Sequence, residues 1–250
     1  MSEKLAWGIL GTGNIAKTFA TGVQRSQSGR LAAVGSRTQA AANTFGEAHH
    51  IDLAHRHENY EALLADPAVQ AVYIATPHPL HAHWTIRAAD AGKHLLVEKP
   101  IGLNAAEAMA IIEAAIANDV FLMEAFMYRC HPQTAKVVEL IKNGAIGEVR
   151  SIQATFSFHW PRPWNDQSRL TSNALGGGGI LDVGCYPVSF SRLIAGVALG
   201  KPFADPIEVK GVGHLSPAGT DDYAAAVLRF ERDIIAEVAT GVQLQQDNVA

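Results

Sequence analysis

Cysteine is scarce in this chain: two residues, Cys130 and Cys185, in 250. So thin a set, far apart in sequence, excludes a disulfide framework and points to a reduced, cytoplasmic setting. Their apolar and aromatic neighbours suit ordinary core thiols better than a metal pair. No apolar run approaches the roughly 18 residues needed to span a bilayer. Met1-Ser2-Glu3-Lys4 leads straight into a strand-like segment with no signal-peptide pattern, so no membrane partner is expected. Lys and Arg form no cluster that could track a phosphate backbone, and the net charge is only −4, which argues against nucleic acid. Charged residues are few at 18%, while 48% are hydrophobic, leaving ample material for a core. A chain of this length makes one large domain or two of ordinary size. The most informative gap is local: no Asp or Glu occurs between Asn14 and Gly46.

What is present begins with the apolar run Leu5-Ala6-Trp7-Gly8-Ile9-Leu10, followed at once by Gly11-Thr12-Gly13-Asn14-Ile15-Ala16. This is G-x-G-x-x-G/A between a strand and a helix (residues 16–24 have helical spacing), the context that gives the pattern meaning. Gly11 permits the tight turn, Gly13 lets a pyrophosphate approach the backbone, and Ala16 lets helix and strand pack closely. Free N–H groups at the helix start meet the phosphates, so Thr12, Asn14 and Ile15 belong to the same cradle. The next strand ends in Ser36-Arg37-Thr38. A site preferring NAD carries an acid about 20 residues after the glycines. The acid-free gap instead puts Ser36 and Arg37 where a 2′-phosphate would lie, and arginine pairs with phosphate and stacks on adenine. The expected cofactor is NADP(H), with NAD as the second choice.

The pattern then repeats. Tyr60–Leu64 reads as a short helix closed by Asp66-Pro67, and residues 71–75 as a strand ending in Thr76-Pro77. A helix over 82–91 stops at Gly92, a strand covers 95–97, Ala105–Ala117 is a long helix, and 120–123 is a further strand. Such alternation makes a doubly wound parallel sheet over residues 1–124. The stretch Leu95-Leu96-Val97-Glu98-Lys99-Pro100 is central, because ligands of open α/β sheets bind beyond the carboxyl ends of the strands. Lys99 is thereby held at the mouth of a cleft, with Pro100 forcing it into an extended conformation.

Histidines crowd two places. His78, His81 and His83 lack a neighbouring carboxylate or thiol, and His49, His50, His55 and His57 fall in a surface connection. No metal is expected at either. His81 stands apart only because it follows a strand end where a cofactor would pass.

From Met123 the texture changes. Glu124-Ala125-Phe126-Met127-Tyr128-Arg129 mixes aromatic, charged and polar groups, and Pro132 opens a helix running to Lys142. Residues 151–159 alternate with period 2, placing Ile152, Ala154, Phe156 and Phe158 on one face of an antiparallel strand. The aromatic loop Trp160-Pro161-Arg162-Pro163-Trp164-Asn165 is equally suited to a packed surface and to a substrate wall. Gly176-Gly177-Gly178-Gly179 precedes Ile180-Leu181-Asp182-Val183-Gly184-Cys185-Tyr186-Pro187. If a helix starts within the glycines, Asp182 and Tyr186 share a face, a spacing that also serves a structural hydrogen bond. Two strands, 223–230 and 234–242, flank a Glu231-Arg232-Asp233 turn. Antiparallel strands packed by helices make residues 125–250 an α+β domain.

These pieces together resemble the Gfo/Idh/MocA oxidoreductase family (glucose–fructose oxidoreductase and inositol dehydrogenase) across the whole chain: residues 11–16, Thr76-Pro77 with His81, Glu98-Lys99-Pro100, and residues 176–186. Residues 123–132 and 177–187 look most like its branch of dimeric dihydrodiol dehydrogenase and NADP-dependent D-xylose 1-dehydrogenase, in which Tyr186 replaces a more usual histidine. The resemblance implies an N-terminal Rossmann domain and a C-terminal α+β domain with a large, mostly antiparallel open sheet, whose outer face makes a homodimer. Relatives continue past Gln245-Gln246-Asp247-Asn248, so a truncated chain or an unpaired sheet edge is expected.

The expected activity is NADP(H)-dependent hydride transfer to or from a sugar, such as the aldose D-xylose, or a trans-dihydrodiol or related carbonyl. The alternative is a non-catalytic nucleotide-binding sugar sensor. Tyr186 is expected to exchange the proton with the substrate oxygen, Lys99 to tune it, and Asp182 to orient the pair or the substrate. Glu98 braces the nicotinamide end. The competing assignment gives proton transfer to Lys99, with Tyr186 only binding substrate. Met127, Arg129, Phe158 and Trp160 complete the expected substrate contacts.

Overall fold

The computed structural model describes residues 4–161 and 168–250. The chain divides into two units, Met1–Ala125 and Phe126–Ala250. The first contains β1 (Leu5–Leu10), α1 (Asn14–Arg25), β2 (Gly29–Gly35), α2 (Gln39–Ala48), β3 (Arg56–His57) and α3 (Tyr60–Leu64). It continues with β4 (Ala71–Ile74), α4 (His81–Asp90), β5 (His94–Val97), α5 (Ala105–Ala117) and β6 (Leu122–Glu124). The strands form one parallel sheet in the order β3-β2-β1-β4-β5-β6. Consecutive side chains of a strand point to opposite faces, and helices cover both. Leu10, Val72, Ile74, Leu95 and Val97 face Trp84 and Ala88 on one side. Ile9, Val34 and Tyr73 face Ala16, Ala20 and Phe45 on the other. Burial on both faces is why these strands read as unbroken apolar runs. Helix α2 has no counterpart among the sequence-based expectations. Thr38 caps it by accepting a hydrogen bond from Ala41 N–H.

The second unit contains α6 (Pro132–Lys142), β7 (Ser151–Ser157), α7 (Cys185–Ala198), β8 (Glu208–Leu215), β9 (Asp221–Arg229) and β10 (Ile235–Gly241). Its sheet has four strands in the order β7-β10-β9-β8. The β10–β9 and β9–β8 pairs are antiparallel, but β7 runs parallel to β10. The sheet is therefore mixed, and the antiparallel reading of residues 151–159 is corrected. Period-2 alternation reports that one face is buried, as Ile152 and Ala154 are, and says nothing about the direction of the neighbour. Helices α6 and α7 cover one face through Ile141, Leu193, Ile194 and Val197, against Ile152, Leu228, Ala236 and Val238. Beyond β10 the chain returns along the edge of β7. Thr155 and Val249 exchange backbone hydrogen bonds, and Ser157 is held by Asn248 and Gln246. The expected bare edge is thus dressed at β7, while β8 remains an edge strand.

Within residues Asn173–Ala198 an 18-residue window is apolar enough to cross a membrane by length and composition. More than half of that window is buried inside the protein, and Leu193, Ile194 and Val197 of the stretch pack on the sheet just described, so it is a core segment.

Candidate active site

In the first unit the strand ends line up. The register pairs Leu10 with both Gly35 and Ile74, and Ile74 with Val97. The ladder continues one residue further: Gly11 N–H donates to Gly35, Ala75 N–H to Leu10, Glu98 N–H to Ile74, and Ala125 N–H to Val97. Ser36, Gly11, Thr76 and Glu98-Lys99 therefore emerge side by side along one rim. The strand order reverses between β1 and β4, the position where such sheets open a crevice for a ligand.

The crevice side is built for a phosphate. Gly11 has φ +101°, and a Cβ there would lie 2.8 Å from the Ala75 carbonyl oxygen, so only glycine fits the turn. A Cβ at Gly13 would meet nothing within 4 Å. Gly13 caps α1 without a side-chain partner, and no acid sits in the first turn. The first N–H groups of a helix, at Asn14, Ile15 and Ala16, have no partner inside the helix. Asn14 and Ile15 are exposed, and Thr12 Oγ1 lies 3.2 Å from Ser36 Oγ. Thr76 Oγ1 is buried with no hydrogen-bond partner among the described residues. Arg37 is exposed just past Ser36, and Pro77 is exposed beside Thr76. Open helix-start amides, a hydroxyl without a partner among the described residues and an arginine in a stretch of sequence free of Asp and Glu fit a dinucleotide phosphate group.

Two expectations change here. His81 is fully buried, with Nδ1 2.7 Å from the Pro100 carbonyl and Nε2 2.9 Å from the Thr76 carbonyl. Burial pushes it below the usual imidazole value, although both carbonyls and the Glu98 charge pull the other way. His81 is a strut between the loops after β4 and β5, with no surface left for a cofactor. Glu98 is likewise committed: the buried Tyr73 hydroxyl donates to Oε1 and Lys99 N–H to Oε2. Tyr73 stacks on Phe19 with ring centroids 4.0 Å apart. Glu124, from the end of β6, accepts from Ile101 N–H at 2.8 Å. Tyr73 and Glu124 are members of the rim that no local spacing flagged. Lys99 stands on this braced turn, half-buried, and its bond to Pro100 is cis.

In the second unit a π-helical turn, Ile180–Gly184, leads into α7. Asp182 is 4% exposed and accepts from Arg169 Nη1 at 2.8 Å. Arg169, absent from the sequence-based candidates, covers it from solvent. Tyr186 opens α7 among aromatic rings, with Phe126 at 5.3 Å, Phe156 at 5.4 Å and Tyr128 at 6.3 Å between centroids. Asp221 anchors the glycines: Oδ2 accepts from Ile180 N–H at 2.7 Å, and burial raises its carboxyl above the usual value.

The expected substrate residues separate. Met127 is 71% exposed. Arg129 places its guanidinium 4.4 Å from the centre of the Phe203 ring. Phe158 and Trp160 pack with Phe156 against Leu170, Val183 and Val242, which accounts for them as a small core. Arg162, Pro163, Trp164 and Asn165 of the same loop lie outside the described residues. A cavity of about 410 Å³ in this unit is lined by Ile141, Val149, Leu199 and Ile234, at the end of α7 opposite Tyr186.

The comparisons with known proteins agree with this architecture. Residues 5–126 match the family model described as the oxidoreductase family with an NAD-binding Rossmann fold, and residues 134–249 match the GFO/IDH/MocA C-terminal domain. The chain belongs to the GFO/IDH/MocA oxidoreductase family. It is 38% identical to D-xylose 1-dehydrogenase (NADP(+)) 2 of Haloferax volcanii, over 94% of this chain and 68% of that protein. It is 33% identical to the trans-1,2-dihydrobenzene-1,2-diol dehydrogenase of Mus musculus, over 98% of this chain and 71% of that protein. Among solved structures, the aldose-aldose oxidoreductase of Caulobacter crescentus with glycerol superposes at a TM-score of 0.86 and 28% identity, covering 97% and 72% of the two chains.

Proposed function

We propose that this oxidoreductase transfers a hydride between NADP(H) and the hydroxyl or carbonyl carbon of a sugar or a related diol. The observation that carries the cofactor choice is the β2 end, where Ser36 and exposed Arg37 border the crevice and stand in a stretch, residues 14–46, that contains no Asp or Glu. The named relatives, an NADP⁺ xylose dehydrogenase and a dihydrodiol dehydrogenase, support the substrate class. When bound, the nicotinamide supplies the hydride chemistry.

The protein's own part is to bind, orient and move a proton. Gly13 and the α1 amides would hold phosphate, Thr76 Oγ1 would gain a partner, and Arg37 would meet the 2′-phosphate. Tyr186 exchanges the hydroxyl proton. A phenol has a reference pKa of about 10, which is too high for an efficient base near neutrality, and an ammonium such as Lys99 favours its ionised form. Asp182 and Arg169 fix the turn that carries Tyr186.

The reading extends to assembly. A homodimer is supported by the uncovered sheet face, where Val212, Tyr223 and Val227 are exposed. A small-molecule substrate in the cytoplasm, without nucleic acid or membrane, suits the mild charge and the scarcity of cysteine. The decisive experiment is absorbance of NADP⁺ with a panel of aldoses and diols. Turnover on at least one supports the enzyme. Cofactor binding with no turnover across the panel favours the sensor.

A further inference from the structure

The sheet edge at β3 carries a cluster that plays no part in the proposed reaction. His55 Nδ1 lies 2.7 Å and His57 Nε2 2.9 Å from the same oxygen, Oδ2 of Asp66. All three atoms fall within 4.8 Å of one another. Residues two apart on an extended chain share a face. Arg56 between the two histidines accordingly turns the other way, to the Ile51 carbonyl and Glu47. Asp66 is almost fully buried, while His57 keeps 17% and His55 34% of its side chain exposed, so one side of the triangle opens to water.

We propose that His55, His57 and Asp66 bind one divalent transition-metal ion of the zinc class, with water completing its coordination. Two neutral imidazoles and one carboxylate are a donor set suited to zinc, nickel or cobalt, and too nitrogen-rich for magnesium or calcium. Tetrahedral ligands 2.0–2.2 Å from zinc are separated by about 3.3 Å, so the two short contacts need to open by only a few tenths of an ångström. The carboxylate is already oriented from behind: its other oxygen accepts from Ala68 N–H at 2.8 Å, the kind of outer contact that fixes a metal ligand. The opposing charge is the Lys93 ammonium, which donates to the Asp66 and Val69 carbonyls. Without an ion, the imidazoles hold the carboxylate by hydrogen bonds. With one, the two-residue edge strand is clamped to the turn after α3.

The test uses the full chain after dialysis against a chelator, titrated calorimetrically with Zn²⁺, alongside His55→Gln and His57→Gln. One ion per chain in the parent, weakened about tenfold or more in each variant, supports the site. A Zn²⁺-dependent rise in melting temperature that the variants lose supports it independently of any activity. Co²⁺ should give visible bands without a thiolate charge-transfer band, separating this site from exposed Cys130. No binding into the millimolar range, or binding unchanged in both variants, overturns the proposal and leaves the cluster a pair of hydrogen bonds.

Discussion

The two glycine-rich stretches solve opposite problems. In the first stretch Gly11 makes the tight turn against the Ala75 carbonyl, and the missing side chain at Gly13 leaves room for something that is not protein: a Cβ there would stand in open space, beside the helix-start amides. At 176–179 the missing side chains leave room for the chain itself. A Cβ at Gly177 would meet the Leu170 backbone at 2.8 Å, one at Gly178 would meet Asp221 Oδ1 at 2.2 Å, and one at Gly179 would meet Gly241 Cα at 3.1 Å. In the proposed function the first stretch is a binding surface. The second is a packing joint that leads into the turn carrying Asp182 and Tyr186. A glycine motif is thus functional or structural according to what occupies the vacated volume.

The sharpest way to break the comparison is at the group the second stretch aims. Tyr186→Phe removes the proposed proton-transfer group and should lower kcat by about 10²–10⁴-fold, with KM little changed. Lys99→Met should lower kcat and shift the pH profile of the remainder. If Tyr186→Phe keeps parent kcat and only raises KM, the phenol binds substrate and Lys99 moves the proton.

Next in size is a matched glycine pair. Gly178→Ala forces a side chain into φ +112° against Asp221. It should cost at least about 1–2 kcal/mol from the backbone alone, read as a lowered urea midpoint. Gly13→Ala has φ −72° and free space, so stability should hold within about 0.5 kcal/mol while dinucleotide affinity falls. A stability loss at Gly13 equal to that at Gly178 would erase the distinction.

Smaller effects sharpen the picture of the first unit. Thr38→Ala removes the α2 cap and should cost about 1 kcal/mol by chemical denaturation, loosening the segment that carries Arg37. Burial opposes ionisation of Asp66, but hydrogen bonds from His55, His57 and Ala68 outweigh it and hold the carboxyl below its ordinary 3.8. Its stabilisation is present above that value and is lost as pH falls through the lower folded value. An acid melt of Asp66→Asn should therefore be flatter than the parent's below pH 3.8.

Much of the first unit was legible because its function lies in contiguous spacing at strand ends that the sheet aligns automatically. Gly11–Gly13, Ser36-Arg37, Thr76 and Lys99 each follow a strand in sequence. What escaped was set by distant pairings. His81 reads as a ligand-facing residue until the Pro100 carbonyl closes over it, and Tyr73 reads as core until its hydroxyl meets Glu98. In the second unit Arg169, Asp221 and the direction of β7 depend on partners far along the chain. The β3 cluster needed Asp66 to fold back onto two histidines that had seemed to lie in a surface connection.

The central claim is that the acid-free end of β2 selects the phosphorylated cofactor through Arg37. Dissociation constants for NADPH and NADH, measured by fluorescence titration of the parent and Arg37→Ala, test it directly. The parent should bind NADPH more tightly, and the variant should lose about 1.5–3 kcal/mol, or roughly 10- to 150-fold, toward NADPH alone. Equal affinity of the parent for both cofactors, or an equal loss for both in the variant, would contradict it.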